Sequence, residues 1–136
     1  SRDTSAEPFD AWFAREMAPK LAETSGAIVN ITSIAGSRVH PFAGTAYATS
    51  KAALTALTRE LAADLAHLRI RVNAVSPGEI NTAILSPGTE ALVERIPMRR
   101  LGSPPEGAAG VHYLCSDQVS YITGTEIPVN GGQDVY

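Results

Sequence analysis

The chain has 136 residues, a net charge of −3 and 44% apolar residues, the size of one domain or a piece of one. Its 18% charged residues are too few for a disordered chain, and no window approaches the ~18 consecutive apolar residues of a membrane span. The N-terminus lacks a basic-then-apolar leader, and a slightly acidic chain without a Lys/Arg run argues against nucleic acid as a partner. Cys115 is alone, so no internal disulfide is expected, and His40, His67 and His112 lack metal-ligand spacing. These features lead to the expectation of a cytoplasmic α/β or α-rich domain. The start at Ser1 rather than Met reads as an excerpt or a processed product.

Residues 1–7 are polar and read as a loose end, with Asp3, Glu7 and Asp10 a solvated acidic patch suited to a helix start. From Pro8, the residues Phe9, Trp12, Phe13, Met17 and Leu21 recur at three- and four-residue steps, one apolar face of a helix. Pro8 suits its first turn, and Pro19 is expected to kink or end it. Residues 27–32 are short and β-branched, a buried strand, and 33–46 carry Gly36, Pro41 and Gly44 as loop. A long helix is predicted over 47–67, with Leu54, Leu57, Leu61, Leu65 and Leu68 as core stripe and Arg59, Glu60 and Asp64 wet. A strand over 69–75 stops at Ser76-Pro77-Gly78. Residues 79–103 are irregular apart from a short helical stretch at 90–96. Pro104 and Pro105 open another helix through Ala108, Val111, His112, Leu114 and Cys115, and 124–129 form the last strand. Alternating elements with buried strands predict a parallel sheet with helices on both faces. Cys115 is expected as a packed thiol on the apolar side of its helix.

The chemistry sits in Tyr47-Ala48-Thr49-Ser50-Lys51. Residues four apart share a helix face, about 5–6 Å between Cβ atoms. A free phenol titrates near ~10, too high for proton transfer at neutral pH, and a nearby ammonium favours the phenolate. Ser33, just beyond a strand, can hydrogen-bond a substrate oxygen beside the phenol. Alone, the Tyr-x-x-x-Lys spacing is a weak signal and more often describes two amphipathic residues on a solvated helix.

The surrounding sequence resembles the short-chain dehydrogenase/reductase family over nearly all of 26–133. Gly26-Ala27-Ile28-Val29-Asn30-Ile31-Thr32-Ser33-Ile34-Ala35-Gly36 looks like the family's fifth strand and catalytic serine, and Tyr47-Ala48-Thr49-Ser50-Lys51-Ala52-Ala53-Leu54 like its active-site helix. Ile70-Arg71-Val72-Asn73-Ala74-Val75-Ser76-Pro77-Gly78 resembles its sixth strand and the turn over the nicotinamide. Arg100-Leu101-Gly102-Ser103-Pro104-Pro105-Glu106, Tyr121-Ile122-Thr123-Gly124 and Val129-Asn130-Gly131-Gly132 resemble motifs around its last helix and strand.

The resemblance implies the C-terminal part of a Rossmann-type doubly wound parallel sheet, residues 1–136 being a single or partial domain and 83–103 a substrate lid. It implies an NAD(P)-dependent oxidoreductase interconverting a carbonyl and a secondary alcohol by hydride transfer. Tyr47 would be the general acid/base. Lys51 would lower the pKa of Tyr47 and hold the nicotinamide ribose, and Ser33 would position the substrate oxygen. Pro77, Gly78, Ile80 and Thr82 would meet the cofactor, NAD or NADP, and no metal is implied. A small-molecule carbonyl or alcohol is the expected substrate, and a homodimer or homotetramer the expected assembly, through the helices over 9–21 and 47–67.

Three departures stand beside this. Ser33 and Tyr47 lie one residue further apart than in the family. The family's catalytic asparagine is expected near Ser5 or Ala6, where no Asn stands. The glycine-rich phosphate loop is absent from the chain, so tight NAD(P) binding by these residues alone is not expected, and the strand over 27–32 lacks the earlier strand that would flank it. The alternative function is a non-catalytic remnant, a packing or oligomerisation module.

Overall fold

The computed structural model describes residues 8–83, 85 and 87–135. The loose end at 1–7 and the asparagine position at Ser5 or Ala6 lie outside the described residues. In chain order the elements are α1 (Phe9–Ala22), β1 (Ala27–Ile31), α2 (Gly44–Leu65), β2 (Arg71–Pro77), α3 (Glu90–Val93), α4 (Pro104–Cys115) and β3 (Glu126–Val129), with single 3-10 turns between some of them. The strands form one parallel sheet in the order β1-β2-β3. Long connections let each strand re-enter in the same direction.

Side-chain alternation divides the sheet into two faces. Ile28 and Val72 point to α1 and α2, where Ala14, Ala18, Leu61, Ala62, Leu65 and Ile70 close the main core. Val75 and Val129 point the other way, and Gly110 of α4 lies close enough that a Cβ there would touch both. Helices therefore cover both faces, as the sequence pattern predicts. The buried Asn73 is satisfied by seaming β2 to the approach of β3: its amide donates to Ile122 O at 2.9 Å and accepts the Thr125 N–H at 3.1 Å.

Four local expectations are revised. The aromatic face of α1 turns outward, with Phe9, Trp12, Phe13 and Met17 exposed, while Ala11, Ala14 and Ala18 are buried. Small residues let α1 come close to α2, and the rings cluster on the outside instead, Phe9 lying 5.7 Å from Trp12 and 6.0 Å from Phe13. Pro19 does not end α1, which runs three residues further. In the last turn and facing solvent, the ring forfeits little of the hydrogen-bond ladder, and Ala18 and Leu21 pack on both sides of it. Helix α2 starts at Gly44, three residues before Tyr47. Cys115 is exposed, because it is the last residue of α4 and its neighbour Leu114 takes the inward position.

Among the described residues, one edge of β1 is unpaired. Backbone groups alternate sides along a parallel strand, and Thr32 N–H donates to Val75 O at 2.9 Å on the β2 side. Ala27, Val29 and Ile31 therefore direct their backbone groups to the open side.

Candidate active site

Ser33 follows the end of β1 and is set by what lies beneath it. The Thr32 hydroxyl donates to Val75 O at 3.0 Å and meets the Glu126 carboxylate, which also takes the Thr55 hydroxyl at 3.0 Å. The strand ends and α2 are thus tied together one residue before Ser33. Ser33 Oγ then accepts the Ala35 N–H at 3.1 Å and caps the 3-10 turn Ile34–Gly36. Its hydroxyl hydrogen is left to donate elsewhere.

Tyr47 and Lys51 stand one turn apart on α2. The ammonium lies 5.6 Å from the centroid of the Tyr47 ring, within cation–π range. It also donates to Ile31 O at 2.8 Å, so Lys51 is tethered to the open edge of β1. Gly36 sets how closely the turn Ile34–Gly36 approaches α2. A Cβ there would fall 2.9 Å from Ala52 N and from the Lys51 carbonyl carbon, so only glycine lets the turn seat against the backbone that carries Lys51.

The turn after β2 supplies the opposite wall. Gly78 is packed so closely that a Cβ would lie 2.1 Å from Gln133 Oε1 and 2.7 Å from Asn130 Cβ. Residues 79–81 are clipped to Gly102 by two backbone bonds, Gly102 N–H to Glu79 O at 2.9 Å and Asn81 N–H to Gly102 O at 2.8 Å. The irregular segment beyond Asn81 thus leaves and returns at a fixed base. That base is extended by Arg100 and Glu106. The Glu106 carboxylate is held at about 2, well below its ordinary range, chiefly by the Arg100 guanidinium and then by the Ser103 N–H and hydroxyl.

Ser33, Tyr47, Lys51, Pro77, Gly78, Ile80 and Thr82 all line one cavity of about 640 Å³. The sequence placed Gly36 in a motif without its packing role, and gave no sign of His40 and Glu79 as a pair, which meet on the cavity wall. Those two are 39 residues apart, and no local spacing links them.

Ser33, Tyr47 and Lys51 thus gather on one cavity at the strand ends of a parallel α/β sheet. Residues 11–134 match the family described as enoyl-(acyl carrier protein) reductase, and the chain belongs to the short-chain dehydrogenase/reductase family. It is 62% identical over 121 residues to protein FixR of Bradyrhizobium diazoefficiens, covering 88% of this chain and 44% of that protein. It is 40% identical to the 3-oxoacyl-(acyl-carrier-protein) reductase FabG of Thermotoga maritima, covering 82% and 47%. The crystal structure of a 3-oxoacyl-(acyl-carrier-protein) reductase from Brucella melitensis superposes with a TM-score of 0.82 at 39% identity, covering 88% of this chain and 47% of that one. The chain spans about half the length of these relatives. The shared fold is Rossmann-type, and further solved neighbours carry bound NAD or NADP. Among the described residues no helix is long and apolar enough to cross a membrane.

Proposed function

We propose that these residues are the catalytic half of a cytoplasmic NAD(P)-dependent oxidoreductase that interconverts a carbonyl and a secondary alcohol. The observation that carries this reading is the convergence of three groups on one cavity: the donor hydrogen of Ser33, the Tyr47 phenol and the Lys51 ammonium. Ser33 hydrogen-bonds the substrate oxygen and holds it beside the phenol. Tyr47 gives its proton to that oxygen in reduction and takes it back in oxidation. The ammonium of Lys51, with one N–H spent on Ile31 O, has two left to stabilise the phenolate and to hold a ribose hydroxyl.

The nicotinamide end of the cofactor fits the residues present. Pro77, Gly78, Ile80 and Thr82 offer it a mainly apolar wall with a hydroxyl at one side. When bound, NAD or NADP supplies or accepts the hydride at the substrate carbon. Among the described residues there is no glycine-rich helix start for the pyrophosphate. The alternative reading is a non-catalytic packing or oligomerisation module, which the test below separates from the first. Residues 83–103 act as the lid in the first reading.

The exposed Phe9, Trp12 and Phe13 on α1, with Ala56 and Ala63 exposed on α2 and Ala66 just beyond its end, support assembly through these helices as a homodimer or homotetramer.

The test is steady-state oxidation of cyclohexanol and reduction of cyclohexanone with each cofactor, in the purified protein containing this chain. Tyr47→Phe should lower kcat by about 10²–10⁴-fold with cofactor affinity nearly unchanged, and Lys51→Ala should lower both. Near-normal turnover in the Phe variant refutes the role of Tyr47. No turnover in the parent, with no cofactor bound in calorimetry, selects the packing module.

A further inference from the structure

His40 lies in the loop between β1 and α2, and Glu79 in the turn after β2. They meet on the cavity wall, His40 Nε2 against Glu79 Oε1, with side chains only 15% and 11% exposed. The second ring nitrogen fixes the tautomer. His40 Nδ1 accepts the Phe42 N–H at 3.3 Å, so it carries the lone pair, and the ring proton sits on Nε2 and is donated to Glu79.

This leaves the carboxylate with capacity to spare. It offers about four lone-pair sites, and among the described residues His40 is the donor to it. Its aim is fixed from behind, because the Glu79 N–H donates to Gln133 Oε1 at 2.9 Å and its carbonyl accepts the Gly102 N–H. Phe42, Ile80 and Leu85 make the neighbouring wall apolar. In such surroundings an acceptor facing a methylene goes unpaired, at a cost a donor-bearing ligand avoids.

We propose that the His40–Glu79 pair is a specificity-determining anchor: Glu79 accepts a second hydrogen-bond donor of the substrate, a hydroxyl or an ammonium. The substrate class is then secondary alcohols and ketones bearing such a group, in preference to plain alkyl ones. This rests on the oxidoreductase reading above.

Three alcohols with one carbon skeleton test it: cyclohexanol, trans-cyclohexane-1,2-diol and trans-2-aminocyclohexanol. The parent protein should favour the diol and the amino alcohol over cyclohexanol in kcat/KM by about tenfold, the discrimination one hydrogen bond to a charged group supports. Glu79→Gln removes the charge and should bring the amino alcohol down to the level of cyclohexanol. His40→Ala leaves the carboxylate without its internal donor and should hold or widen the amino alcohol preference. A pair that only braced the loop would lower all three substrates together in both variants. Equal ratios in the parent and Glu79→Gln overturn the proposal. Binding is followed in parallel, without cofactor, through the His40 imidazole ¹⁵N resonances. A shift with the amino alcohol and none with cyclohexanol supports the anchor even if turnover is absent and the oxidoreductase reading has failed. No shift with any of the three overturns the anchor and leaves that reading standing.

Discussion

Two glycine-to-alanine substitutions should have opposite signs, because glycine does different work at the two positions. At Gly36 the added methyl would lie 2.9 Å from two backbone atoms of α2 and 3.2 Å from Lys51 O. Normal contact needs about half an ångström more at each, and backbone atoms cannot swing aside as a side-chain end can. Either the turn Ile34–Gly36 lifts off or α2 moves. Overpacking of this kind costs about 1–3 kcal/mol. At Gly107, inside α4, nothing lies within 4 Å of the new methyl. There the gain in helix propensity should stabilise by about 0.5–1 kcal/mol. Urea titration followed by far-ultraviolet circular dichroism measures both, with an unchanged m-value showing that only stability moved. Gly36→Ala should also displace Ser33 relative to Tyr47 and Lys51, and a shift approaching an ångström can cost about 10²-fold in turnover. A Gly36→Ala protein as stable as its parent would refute the close-approach argument. A destabilised one with full turnover would refute the claim that this contact sets the site.

Two further outcomes follow from the structure. Glu106 titrates at about 2 against an ordinary 4.5; a depressed carboxylate contributes stability above its unfolded value that is lost as pH falls through the folded one. Acid unfolding between roughly pH 4.5 and 2 should therefore flatten in Arg100→Ala, and an unchanged acid limb in thermal melts would count against the pairing. Trp12→Glu, on the exposed face of α1, should shift the protein toward monomer in sedimentation at tens of micromolar, and identical sedimentation of parent and variant would remove that face from the assembly.

The residues of the candidate site were legible as positions: Tyr47 and Lys51 are one helical turn apart, Ser33 follows a β-branched run, and Pro77-Gly78 stops another. Pattern places each on its element, and only the family resemblance proposes their roles. What was not legible depends on distances between elements. Both faces of α1 are apolar, and periodicity cannot tell which is buried. The close approach of α2 selects the alanines over the rings. The start of α2 at Gly44 rather than Tyr47 carries no local signal, since Ala43 precedes it and no side chain caps it. Cys115 follows helical spacing yet lies where α4 ends and its apolar side no longer faces the sheet. His40 and Glu79 find each other only once β1 and β2 are paired and the loops beyond them are brought together.

The tether from Lys51 to Ile31 O gives the ammonium a second duty at the strand. Charged side chains, lysine above all, limit how far a neighbouring strand can extend along a sheet edge. Here the ammonium at the phenol ring also occupies the last outward carbonyl of β1. Any strand that extends the sheet on this side must stop short of Ile31 or compete with Lys51 for that carbonyl. A Lys51 variant therefore frees that carbonyl together with removing a cation, and its secondary structure in solution has to be measured before lost turnover is ascribed to chemistry.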